Sequence, residues 1–198
     1  MSDVHETLEH SEHAEHASHS GNKGIALLIS VLALFLALSE TLGKSAQTAA
    51  LSYNVQANDD WAYYQAKTIR MGQLQTAADT MTLISQGTTD PALKDAQAKQ
   101  IAAWRKEAAR ADDEPGRNGR KQLTEKARAS EEERETALAR YHNYEFASAA
   151  FQIGIVLASA TIITGMVVLA WIAGGLGVIG VAFMAIGLLA PHAIHLLG

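Results

Sequence analysis

The stretch FASAAFQIGIVLASATIITGMVVLAWIAGGLGVIGVAFMAIGLLAPHAIHLLG, Phe146–Gly198, contains no Asp, Glu, Lys or Arg. As a single helix it would run roughly 80 Å, against a bilayer hydrocarbon core of ~30 Å. It must therefore fold back on itself. Glycine permits turn geometry, and Gly174-Gly175-Leu176-Gly177 follows Trp171. The expected form is a helical hairpin in lipid, with one leg over 146–172 and the other over 176–197. Gly154/Ala158 and Thr161/Gly165 are small-residue pairs, and Gly180 and Gly187 add a flat stripe. Such residues let helix backbones approach closely where lipid supplies no hydrophobic drive. Gln152 is a polar group able to bond across helices, but the hairpin lacks the ionisable groups that mark ion pathways. His192 and His195, after Pro191, read as boundary residues.

Upstream of the hairpin lies a charged helical block, residues 43–145. Over Lys121–Tyr144, the positions Leu123, Ala127, Ser130, Arg134, Ala137, Tyr141 and Tyr144 repeat at alternating spacings of four and three. That resembles a short coiled-coil seam, interrupted at Ser130 and Arg134. Glu131-Glu132-Glu133 reads as a solvated face, with Glu131 and Arg134 spaced to pair. Nothing breaks this helix before Phe146, so it should enter the membrane directly. Tyr141, Tyr144 and Phe146 then fall at the lipid boundary. Asp112–Gly119 (DDEPGRNG) is a loop. Before it, Pro91–Asp112 reads as a helix with Asp90 as its cap and proline in its first turn. Asp90/Lys94 and Asp95/Lys99 are candidate pairs on it. Residues 46–86 form a long helix whose face runs through Ala57, Trp61, Tyr64, Thr68, Met71, Leu74, Ala78 and Met81. Trp61, Tyr63 and Tyr64 are read as packing aromatics rather than a ligand-stacking site.

Gly24–Leu42, GIALLISVLALFLALSETL, is the first apolar run and would span about 28 Å as a helix. A cleaved signal peptide is the rival reading, but the preceding tail is acidic apart from Lys23, which favours an uncleaved anchor. Gly43-Lys44-Ser45 imitates the end of a phosphate-binding loop, yet Leu38 stands where its first glycine belongs. Residues 1–23 carry His5, His10, His13, His16 and His19 among acids, with too few apolar side chains to bury a core. Imidazole and carboxylate together can hold zinc, nickel or copper, but ligands three apart drift around a helix of 3.6 residues per turn. A solvated polar tail is preferred, with a divalent-metal site or a pH-responsive segment as alternatives.

The chain has 198 residues, no cysteine and a formal charge of −5. Disulfides and thiolate metal sites are excluded. The charged block is balanced in sign, which argues against a nucleic-acid partner, since that needs a basic face. No nucleophile–base pair stands out, so no enzyme is expected and no cofactor is implied.

The run Asn58-Asp59-Asp60-Trp61-Ala62-Tyr63-Tyr64-Gln65-Ala66-Lys67-Thr68-Ile69-Arg70, together with Phe151-Gln152-Ile153-Gly154-Ile155-Val156-Leu157-Ala158-Ser159, resembles a bacterial membrane family, the domain of unknown function 4337 family. The likeness covers nearly the whole chain. It implies a three-span protein of the bacterial inner membrane and brings no activity or catalytic residues with it.

The expectation is thus an all-α protein with three transmembrane helices and a helical, coiled-coil-like extramembrane block. Its partners would be membrane lipid and further copies of itself, as a structural or scaffold homo-oligomer. The alternative is a channel, a transporter accessory or a metal-responsive protein using the tail. An unidentified membrane-protein partner would meet the chain at Asp59, Asp60, Trp61, Tyr64 and Lys67, its one polar–aromatic cluster.

Overall fold

The computed structural model describes the backbone of residues 2–114 and 116–193 and, within those limits, the side chains from residue 23 onward. His5, His10, His13, His16 and His19 of the tail, and His195, lie outside the described side chains. Four helices follow one another: α1 (Ser2–Gln86), α2 (Pro91–Asp112), α3 (Arg120–Thr164) and α4 (Val167–Leu189). No strand occurs among the described residues. The protein is all-α, and three of its helices are long and apolar enough to cross a membrane: α1, α3 and α4.

Local chemistry sets the ends of these helices. The Asp90 carboxylate accepts the Ala92 N–H at 2.9 Å, and Pro91 opens α2 without needing a donor of its own. Asp90 therefore acts as a cap, while Lys99 makes the expected pair with Asp95 at 2.7 Å. Between α2 and α3, Gly116 adopts φ +77°, a conformation that glycine takes without strain.

The chain divides into two compact units, Met1–Ala49 with Thr136–Gly198, and Ala50–Glu135. In the first unit, Leu32 of α1 and Ala147 and Phe151 of α3 form the buried cluster. The Phe35 ring stacks on Phe151 with centroids 5.8 Å apart. From α3, Ala137, Tyr144, Ala147, Phe151, Gly154, Ala158 and Thr161 are buried, which carries a spacing of three and four through the apolar run. Gln152 points away from this seam and is exposed. The Ser39 hydroxyl donates to the Tyr144 carbonyl at 2.8 Å.

The hairpin turns earlier than the glycine run suggests. α3 ends at Thr164, Gly165 takes φ +70° with its N–H on the Thr161 carbonyl at 2.9 Å, and α4 starts at Val167. α4 then passes through Gly174, Gly175 and Gly177 without a break. The legs expected over 146–172 and 176–197 are corrected to 146–164 and 167–189. Length is one reason. A leg over 146–172 would be about 40 Å long, whereas 146–164 is about 28 Å and matches the hydrocarbon core. The second reason is that α4 uses glycine as a contact surface. A Cβ on Gly177 would sit 2.7 Å from Leu32 Cδ2, and one on Gly180 2.6 Å from Phe151 Cε1. One on Gly187 would sit 3.0 Å from Tyr144 Cε1. Just past α4, the Asn143 side-chain amide donates to the Pro191 carbonyl at 3.1 Å and to Ala139 at 2.8 Å. His192 Nε2 lies 3.1 Å from Thr136 Oγ1.

In the Ala50–Glu135 unit the buried residues are small. Ala50, Ala57 and Ala78 of α1, Ala108 and Ala111 of α2, and Ala127 of α3 are buried, with Leu123 the one large aliphatic fully enclosed among the described residues. Of the α3 positions expected in the seam, Leu123, Ala127 and Ser130 are buried here, while Arg134 is half-buried.

Candidate functional site

The segment Asp59–Arg70 lies wholly in α1, and the helical period of 3.6 divides it between two faces. Trp61, Tyr64 and Thr68 are half-buried against the rest of the Ala50–Glu135 unit. The Trp61 indole N–H donates to Glu131 Oε1 at 2.8 Å, and its ring meets Tyr64 edge-on with centroids 5.6 Å apart. Glu131 is thus engaged by Trp61 rather than paired with Arg134. Arg134 instead reaches Asn54 Oδ1 at 3.3 Å and Glu135 at 3.9 Å. A helix-local pair offers only a few tenths of a kcal/mol, so contacts to another helix can easily outweigh it.

Tyr64 is fixed from α3. Arg120 Nη2 donates to its hydroxyl at 2.8 Å, while Arg120 Nη1 reaches Asp112 Oδ1 at 3.1 Å and Met71 Sδ at 3.4 Å. The guanidinium is also 4.9 Å from the Tyr64 ring centroid. One planar fork at the start of α3 therefore binds α1 and the end of α2 together, a task suited to arginine's fixed donor geometry. The side chain is 19% exposed.

The adjoining face of the segment carries Tyr63, Lys67 and Arg70. Lys67 Nζ stands 5.5 Å from the Tyr63 ring centroid. Facing them from α2 and the following loop are Lys106, Glu107, Arg110, Glu114 and Arg117, around an open groove of about 690 Å³. Arg70 pairs with Glu107, and Arg110 with Glu114 at 2.7 Å. The hydrogen bond from Arg110, and then its charge with those of Arg117 and Lys67, holds the Glu114 carboxyl below its ordinary range. Beside it, Asp113 accepts from the Gln122 amide at 2.8 Å and from Lys121 at 3.1 Å, and these bonds lower its pKa in the same direction.

The five residues singled out from the sequence are thus not brought to one spot. Trp61 and Tyr64 turn inward, Lys67 lines the groove, Asp59 is exposed and Asp60 half-buried. Arg120, Asp112 and Glu131 were not singled out as members of this cluster. Each is remote in sequence from the segment it holds, and no spacing rule links them. The groove's cations did leave a signal. Lys67/Arg70 and Lys106/Arg110 sit three and four apart, so each pair shares a helix face.

These features define a class: a helical protein that combines three long apolar helices with a charged helical unit pinned by an aromatic–arginine cluster. Residues 21–190 match the family model described as a domain of unknown function (DUF4337), and the chain belongs to that family. No curated protein and no solved structure matches it.

Proposed function

We propose that the chain is a non-catalytic structural or scaffold protein of the bacterial inner membrane, crossing the bilayer three times and working as a homo-oligomer. The observation that supports this reading is a set of exposed aliphatics on the unit otherwise rich in charge. Ile69 (63% exposed), Leu83 (68%) and Ile84 (56%) of α1 stand open, and Leu93 follows at the start of α2. Between α1 and α2 lies a shallow depression of about 670 Å³ lined by Gly72, Thr76, Ala77, Thr80 and Trp104 among others. Its small side chains suit the close approach of another helix, and covering the aliphatics would remove their unfavourable exposure to water. A second copy is the simplest occupant, because the same chain supplies both face and helix. The polar members of the Asp59–Arg70 segment support a structural role as well, since Trp61 and Tyr64 spend their hydrogen bonds on Glu131 and Arg120.

Light scattering of the detergent-solubilised full chain tests the proposal. A multimer is expected, and Ile69→Glu with Ile84→Glu should shift it toward monomer without loss of helicity. A wild-type particle that is monomeric at every concentration overturns the reading.

A further inference from the structure

The groove beside Tyr63 has more positive charge than its own carboxylates can balance. Lys67, Arg70, Lys106, Arg110 and Arg117 stand against Glu107 and Glu114. Both carboxylates already belong to arginines: Glu107 to Arg70, and Glu114 to Arg110 and Arg117. Lys67 and Lys106 take part in no ion pair among the described residues. The whole chain carries −5, so this local excess is not a background property. Alanines at 66, 103 and 111 keep the floor low between the two charged walls. Gathering like charges around a concavity is unfavourable unless an anion shares them. Ammonium groups and arginine forks together suit the several oxygens of a phosphate, and the Tyr63 ring offers a flat surface at the side.

We propose that this groove binds a phosphate-bearing small anion, held by Lys67 and Lys106 beside the arginine forks of Arg70 and Arg110. The phosphate could come from a soluble compound or from a lipid headgroup; both present the same oxygens. The inference does not depend on the oligomeric reading above, because the groove lies within one copy of α1 and α2.

The test is calorimetric titration of the full chain, in nanodiscs of zwitterionic lipid, with inorganic tripolyphosphate. Saturable binding that weakens with added salt is expected. Lys67→Glu with Lys106→Glu should lower affinity by at least about tenfold, since each charge-assisted hydrogen bond is worth roughly that factor. Lys94→Glu with Lys99→Glu makes the same change in net charge on α2 outside the groove and should leave affinity within about twofold. Native mass spectrometry of the detergent-solubilised protein separates the sources. Phosphatidylglycerol adducts lost in the Lys67/Lys106 variant identify a headgroup, and their absence beside tripolyphosphate binding identifies a soluble phosphate. The proposal is overturned if neither probe binds, or if both charge-reversed pairs weaken binding equally.

Discussion

In the unit made of Met1–Ala49 and Thr136–Gly198, helices meet through glycines that receive rings and leucine branches: Gly180 against Phe151, Gly187 against Tyr144, Gly177 against Leu32. In the Ala50–Glu135 unit, helices meet through alanines, and polar side chains tie them: Trp61 to Glu131, and Arg120 to Tyr64 and Asp112. Yet α1 and α3 serve both units. The difference follows from the surroundings each composition is suited to. Lipid is as apolar as the helix surface, so association there depends on close backbone approach and dense contact. In water, alanine burial gains little per residue, and hydrogen bonds between helices supply the definition that small side chains cannot.

The sharpest way to break this comparison is to fill a glycine. Gly180→Leu places side-chain atoms inside the Phe151 ring and should destabilise the detergent-solubilised protein by about 3 kcal/mol in thermal unfolding. Gly174 has open space where its Cβ would lie, so Gly174→Leu should stay within about 0.5 kcal/mol of the parent. The reverse order of sensitivity would mean that the helices of this unit do not meet through the Gly177–Gly187 stripe. Gly165→Ala is expected to cost about 1 to 2 kcal/mol through its φ alone, with nothing nearby to clash.

The other unit should fail through its polar ties. Arg120→Ala removes the donors to Tyr64 and Asp112 and should cost about 2 kcal/mol, read as thermal unfolding by circular dichroism. Arg120→Lys should recover little of this, because one ammonium cannot replace the fork. A full rescue would show that charge alone matters at that position. Trp61→Phe keeps an aromatic ring but loses the indole bond to Glu131 and some packing, for about 1 to 2 kcal/mol.

Periodicity made the seams legible. Leu123, Ala127, Ser130, Ala137 and Tyr144 are buried where the alternation of three and four puts them, Arg134 and Tyr141 are half-buried, and Pro91–Asp112 starts where its cap and proline imply. The glycine cluster points to the wrong turn because glycine has two physical uses. Gly177 is a contact surface for Leu32, while the isolated Gly165 carries the positive φ. Leg length against bilayer thickness could have decided between them. The groove was partly legible, from Lys67/Arg70 and Lys106/Arg110 on their separate helices. What brings the two helices together is a tertiary fact that no local spacing encodes. Arg120 and Glu131 stayed hidden for the same reason, since their partners are 56 and 70 residues away in the chain.

The smallest expected effect concerns acid, and it also separates the two units. Asp113 and Glu114 have pKa values lowered by their folded partners, Gln122 and Lys121 for the first and Arg110 for the second. A carboxylate lowered on folding adds stability that is complete above its unfolded pKa. That stability is lost as pH falls through the lower folded value. Between neutral pH and about 5, the loop after α2 should therefore not change. Below the ordinary carboxylate range, the bonds from Lys121 and Arg110 weaken, and the Glu114 amide, held by Gln122 Oε1 at 3.3 Å, should lose protection. Hydrogen exchange at Glu114, corrected for the intrinsic rate at each pH, measures this. Asp113→Asn should lower protection at neutral pH and flatten the acid response. In the other unit, the Ser39–Tyr144 and Asn143–Pro191 bonds join uncharged groups, so protonating a carboxylate does not remove them directly, and the acid step at Glu114 should exceed any step there. An equal step in both places would mean that acid acts on the whole protein and not through the two carboxylates at the end of α2.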